Sequence, residues 1–200
     1  MPAGERPGGP AEAVRATIAR AFAETIRLHE RVAAMDPAPL LAAADLLLSA
    51  FERGGKLLAF GNGGSAADAQ HLVTELVARY TRVRRALPAV TLTADASLMT
   101  AVANDFGYEQ VFARQVAALG RPGDVAVGIT TSGRSANVLR GLEAARAGGL
   151  STVALTGGDG GPAAALADVH VNVPDPSTPR VQEVHRTLLH VLCELIEQKL

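Results

Sequence analysis

The chain has 200 residues, 48 % of them hydrophobic and 20 % charged, an ordinary globular balance with enough length to bury one core. Its 19 Lys and Arg nearly cancel its 20 Asp and Glu, and a net charge of −1 argues against the broad basic surface of a nucleic-acid binder, though not against a local basic patch. One cysteine, Cys193, excludes an internal disulfide framework and fits a reducing compartment, its plain reading being a small apolar residue on a helix.

Residues 1–10 are rich in Gly and Pro and lack an apolar run, so they read as a disordered leader rather than a signal peptide, with 11–200 as a single domain. From Ala11 to about Met35 the spacing of Val14, Ile18, Phe22 and Ile26 predicts a helix. Pro37 and Pro39 reset the chain, and Leu40 to Arg53 reads as a second helix, pairing with the first beside a sheet. The longest apolar stretch, Leu40 to Phe51, is interrupted by Asp45 and too short to span a bilayer, so a soluble, cytoplasmic protein without a membrane partner is expected.

Leu57 to Phe60 is a continuous apolar run entering Gly61-Asn62-Gly63-Gly64-Ser65, the pattern of a buried parallel strand, a glycine turn and a helix start. The unit then recurs. Strands are predicted at Pro88–Leu92, Asp124–Ile129, Ser151–Leu155 and Val169–Val173. Helical segments are predicted through Ala103, over Glu109–Leu119, over Ala136–Ala147, briefly after Thr156-Gly157-Gly158, and over Pro179–Lys199. Alternating strands and helices imply an α/β fold, a doubly wound parallel sheet covered on both faces.

In such sheets ligands bind beyond the carboxyl ends of the strands, where two loops stand out. In Gly61–Ser65, glycines let backbone N–H groups approach an anion, and Ser65 can cap the helix or bond an oxygen. It lacks the G-x-G-x-x-G spacing of dinucleotide sites, and no phosphate-loop G-K-[ST] occurs. Thr130-Thr131-Ser132-Gly133-Arg134-Ser135 sets four hydroxyls before a helix, more than capping needs, which suits a phosphate monoester.

His71 and Glu75 share one face of the helix after the glycine loop, away from a core stripe expected at Ala69, Leu72, Val73, Leu76 and Tyr80. On the last helix the expected core stripe is Val181, Val184, Leu188, Val191 and Leu195. Gln182 and His190 lie off it, about 80° apart at 100° per residue. Leu189, Cys193 and Ile196 make a second apolar patch on that side, which predicts cover by another subunit. The four polar groups could ligate a divalent metal, or supply a base and an acid for moving a proton between adjacent carbons of a sugar phosphate.

Gly61 to His71, Ala103-Asn104-Asp105-Phe106-Gly107-Tyr108, Thr131 to Ser135 and Arg180-Val181-Gln182-Glu183 together resemble the sedoheptulose 7-phosphate (phosphoheptose) isomerases of the sugar isomerase (SIS) superfamily, from about Ala11 to Leu200. The resemblance implies a five-stranded SIS sheet, a homotetramer with sites where subunits meet, and a phosphorylated heptose substrate. It implies Glu75 as general base and His190 as its acid/base partner, with one zinc per subunit on His71, Glu75, Gln182 and His190. Substrate contacts are implied at Asn62, Gly63, Gly64, Asn104, Asp105, Thr130, Thr131, Ser132, Ser135 and Gln182, beside Ser65, and Arg79 matches a family arginine near the site. Thr130, Arg134 and Pro179 depart from common family residues without removing a group that the chemistry needs. Non-catalytic relatives that bind the bacterial replication initiator, or that sense phosphosugars, are the alternatives. Having both Glu75 and His190 argues against the first, and a chain with no room for a further domain against the second.

Overall fold

The computed structural model describes residues 10–200, so the expected leader lies outside the described residues except for Pro10, which opens the first helix. Contacts divide the chain into two compact units, the first ending at Met35 and the second Asp36–Leu200. The first unit is helix α1, Pro10–Ala33, with Val14, Ile18, Phe22 and Ile26 all exposed along one stripe.

In the second unit, helix α2 (Ala38–Glu52) precedes strand β1 (Leu57–Gly61), helix α3 (Gly64–Val77) and strand β2 (Ala89–Thr91). Helix α4 (Ala96–Phe106), a 3-10 turn at Tyr108–Gln110 and helix α5 (Val111–Leu119) lead to strand β3 (Val125–Thr130). Helix α6 (Ala136–Ala147), strand β4 (Ser151–Gly157), helix α7 (Ala163–Leu166), strand β5 (Val169–Val173) and helix α8 (Thr178–Lys199) complete it. All five strands are parallel in the order β2-β1-β3-β4-β5. Among the described residues no single helix is long and apolar enough to cross a membrane.

The central strands read as unbroken apolar runs because both faces are covered. Alternate side chains point opposite ways. Leu57 and Ala59 join the core under α2, α3 and α8, while Leu58 and Phe60 join the one under α4, α5 and α6, where Phe60 meets Phe112 at 5.2 Å between ring centres. Strand β2 is shorter than predicted, yet its pairing persists at both ends, with Leu57 N bonding Pro88 O and Leu92 N bonding Ala59 O.

Two expected helix faces need correction. On α3 the buried residues are Ser65, Asp68, Ala69, Leu72 and Leu76, and the helix stops at Val77, so Tyr80 lies beyond it. On α8, Leu189, Cys193 and Ile196 are buried inside this chain rather than left for a neighbouring subunit, while Val191 of the expected core stripe is 37 % exposed. The reason is that α8 packs against both α2 and α3, so its apolar face is wider than one stripe. Burial also pushes the Cys193 thiol up to about 12, which makes it an inert core residue.

Near the end of α8, Glu197 is 3 % exposed and ties down the segment after α3. Its carboxylate accepts from the backbone N–H of Tyr80, Thr81 and Arg82 and from the Thr81 hydroxyl, with Arg84 Nε at 3.3 Å. Burial alone would raise its pKa, but these donors hold it at about 2. Glu197→Gln is therefore expected to cost about 3 kcal/mol, since it removes the charge facing Arg84 Nε and weakens a buried network of donors. The corresponding fall in melting temperature is about 6–12 °C, readable by calorimetry.

Acid should destabilise the fold in two stages. His185, wholly buried with Nε2 on the Thr156 carbonyl at 2.9 Å, has its pKa lowered by burial, and His71 and His170 are lowered as well. The unfolded chain then binds protons that the native state refuses, so stability falls as pH drops below about 6.5. Glu197, depressed to about 2, adds its own loss as pH falls through about 4.5 toward 2. Urea midpoints across pH 4–8 should show the first stage, with a shallower slope in His185→Gln.

Candidate active site

Strand order reverses between β1 and β3: the chain goes from β1 out to β2, then crosses back to β3 on the other side. The loops after these two strands part there and border a cavity of about 260 Å³. Asn62, Gly63, Gly64 and Ser65 line one side, Thr130, Thr131 and Ser135 another, and Gln182 a third. Ile129 and Thr178 also line it, and Thr178 went unnoticed in the sequence.

Helices α3, α6 and α8 all begin at this cavity, and none of the three has a side-chain cap on its first turn. Their N-terminal dipole ends and backbone N–H groups make an anion site without a lysine or arginine in the lining. Hydroxyls complete it: Thr130 Oγ1 lies 3.1 Å from Ser135 Oγ and 3.5 Å from Ser132 Oγ, which in turn accepts from Arg134 N. Such a cradle suits a phosphate group. Asn62 is locked rather than free, in a reciprocal amide pair with Asn137 at 2.8 Å each way, and its Oδ1 also accepts from the Tyr108 hydroxyl.

Further along α3 and α8, His71 Nε2 stands 2.7 Å from His190 Nε2 and 3.5 Å from Glu75 Oε1. Burial, then the charge of Arg186, holds the His71 pKa down, so its imidazole is neutral at neutral pH. Tyr80 stacks on His190 at 5.5 Å between ring centres, which helps explain why it is half-buried despite lying off the helix. Arg186 forms an ion pair at 2.7 Å with Asp68, whose other oxygen, Oδ2, is buried without a hydrogen-bond partner. Asp68 falls three residues before His71, and Arg186 four before His190, so helical spacing could have flagged both.

Other expected residues stand apart from this cluster. Gln182 lies with its carboxamide against Gly64, where any Cβ would overlap it. Asn104 and Asp105 are exposed on α4, bonded to one another at 2.8 Å, and Asp105 borders a separate apolar cleft between α4 and α5. Arg134 turns away to Asp159 at 2.5 Å, and exposed Arg79 makes a 3.4 Å contact to the Thr81 carbonyl. Among the described residues no group of three or more His, Cys, Asp or Glu is placed to hold a metal ion.

The family model for the SIS domain matches residues 22–157. A phosphoheptose isomerase from Roseiflexus sp. (strain RS-1) is 54 % identical over 164 residues, 82 % of this chain and 83 % of the relative. The solved phosphoheptose isomerase of Neisseria gonorrhoeae is 46 % identical, with a TM-score of 0.87 over 92 % of this chain and 99 % of that one. The one from Francisella tularensis is 38 % identical with a TM-score of 0.89, covering 92 % and 98 %.

Proposed function

The chain belongs to the SIS domain family and, within it, to the phosphoheptose isomerases, and from that premise we propose that the cavity and the His71–Glu75–His190 cluster are the two ends of one active site. The protein is an aldose–ketose isomerase that converts sedoheptulose 7-phosphate to D-glycero-D-manno-heptose 7-phosphate for activated-heptose synthesis. One observation carries the assignment of the site. Gln182 at the cavity and His190 at the cluster are eight residues apart on α8, about 12 Å along its axis, a span that suits a sugar whose carbonyl and phosphate sit at opposite ends.

In this reading the helix N-termini and the hydroxyls of Thr130, Thr131, Ser132 and Ser135 hold the phosphate, with Gly63, Gly64 and Ser65 giving it close approach. The carbonyl end of the opened sugar then lies over Glu75. Glu75 takes a proton from C1 while His190 gives one to the C2 oxygen, forming an enediol. His190 next recovers a proton from the C1 hydroxyl, and Glu75 returns its proton to C2, which leaves the aldose. Asn104 and Asp105 contact sugar hydroxyls only if α4 approaches the site, for instance from a neighbouring subunit.

The donor types at the cluster, two imidazoles and a carboxylate, suit zinc, and His71, Glu75 and His190 would hold it, with Gln182 as fourth donor once its carboxamide turns from Gly64 toward them. The two imidazoles are at hydrogen-bond distance and must part to admit an ion. A bound zinc would polarise the substrate carbonyl. Elemental analysis of untagged protein is expected to find about one zinc per subunit. Affinity should fall as pH drops through the imidazole range. Protein that neither holds zinc nor binds added zinc would remove the metal from the site.

We place the enzyme in the cytoplasm, where a charged sugar phosphate is made and retained, and expect a homotetramer, supported now by the exposed stripe of α1 rather than by α8. Light scattering showing a stable 20.6 kDa monomer at micromolar concentration would sink the tetramer. For the function itself, sedoheptulose 7-phosphate incubated with the protein should yield the aldose by NMR, and an unchanged ketose spectrum would overturn it.

A further inference from the structure

Behind the phosphate cradle lies a second loop, 157–161, to which the isomerisation gives no role. It is pressed against the turn of the cradle. The Gly160 carbonyl occupies the space that a side chain on Gly133 would need, and Ala163 N donates to Gly133 O at 3.1 Å. The Arg134–Asp159 ion pair also joins the loops, but both side chains are more than half exposed, so it contributes little.

What supports this second loop is the half-buried ring of His170 on β5. A Cβ built on Gly160 would stand 2.6 Å from His170 Cε1 and 2.9 Å from its Nε2, so the loop backbone rests directly on the ring edge. The ring is fixed in turn by a directed chain of hydrogen bonds. Asn172 donates Nδ2 to the Gly158 carbonyl at 3.1 Å, which leaves its Oδ1 facing Thr156. The Thr156 hydroxyl gives its one proton to that Oδ1 at 2.8 Å. Its oxygen must therefore accept from His170 Nε2–H, at 2.6 Å. The chain starts and ends on the loop: His170 bears Gly160 and Asn172 holds Gly158.

We propose that His170 is a positioning residue for the substrate phosphate, its Thr156-pinned ring holding loop 157–161 against Gly133 and so fixing the Thr130–Ser135 cradle. The inference rests on the reading that this cavity takes the phosphate. Phosphate contacts made equally in ground and transition states act on KM and not on kcat, so a support for the cradle should do the same. A merely structural histidine would lower melting temperature without separating the two constants.

The test compares wild type, His170→Ala, His170→Gln and Thr156→Val, measuring inorganic phosphate affinity by titration calorimetry and both kinetic constants on sedoheptulose 7-phosphate. His170→Ala is expected to raise KM and the phosphate Kd together by about tenfold, the usual scale of one lost buried hydrogen bond, and to leave kcat within about twofold. His170→Gln, whose amide nitrogen can replace Nε2, should recover most of the loss. If His170→Ala does not fold, Thr156→Val, which removes only the hydroxyl, carries the same expectation. A folded variant with unchanged phosphate Kd and KM, or with only kcat reduced, overturns the inference while the isomerase reading stands. Wild type that binds phosphate but never turns over the sugar, with binding weakened in the variants, overturns the isomerase reading and leaves His170 in its role.

Discussion

Glu75→Gln is expected to lower turnover by roughly 10²–10⁴-fold, the contribution of a positioned general base. Glu75 is the carboxylate of the cluster, 3.5 Å from His71, and the substitution keeps size and helix propensity while removing the proton acceptor. Its side chain is 18 % exposed and off the buried stripe of α3, and the bond from Arg84 Nη2 goes to its backbone carbonyl, which Gln retains. Melting temperature and oligomer size should therefore hardly move. Turnover, calorimetry and light scattering on one preparation decide the matter. A variant with a tenth or more of wild-type turnover removes Glu75 from the mechanism, and one that unfolds makes the residue structural.

Gly133→Ala should damage both binding and stability. Gly133 has φ +64, a left-handed conformation that costs a residue with a Cβ about 1–2 kcal/mol. The added Cβ would also overlap the Gly160 carbonyl, which is backbone and cannot rotate aside. The cradle and loop 157–161 must then separate, so KM should rise by an order of magnitude or more. Melting temperature should fall by about 5 °C or more, at 2–4 °C per kcal/mol for a chain of this size. Gly123→Ala serves as the control, because Gly123 has φ +92 but open space around its Cβ position. Equal losses in the two variants would show that backbone strain, and not contact between the loops, is responsible.

Much of this was legible in the sequence because it is local. The glycine loop, the Thr/Ser loop and the i, i+4 pair of His71 and Glu75 are each contained within one turn or one element. What pattern could not supply was adjacency. Nothing in Leu57–Phe60 or Asp124–Ile129 says that β1 and β3 are neighbours, yet that pairing makes the two loops one cavity and creates the strand-order reversal. The single-stripe reading of α8 failed because it allowed the helix one covered side, while α2 and α3 both cover it. Asp68 and Arg186 were missed because a carboxylate and a guanidinium on separate helices look like solvated charges until the helices dock.

The His71–His190 contact spans 119 residues of sequence. At roughly 5–20 residues per second, a ribosome takes about 6–24 s to make the second half of the pair after the first. Throughout that interval Leu72 and Leu76 lack Leu189, Leu192 and Ile196, the partners that complete their core cluster. The sheet can pair strand by strand as it emerges, with α2 and α3 on one face, but the part of that face that α8 covers remains an exposed apolar surface until α8 arrives. The nascent chain is therefore both inactive and most prone to association in the same seconds, and the closing of one helix ends both conditions at once.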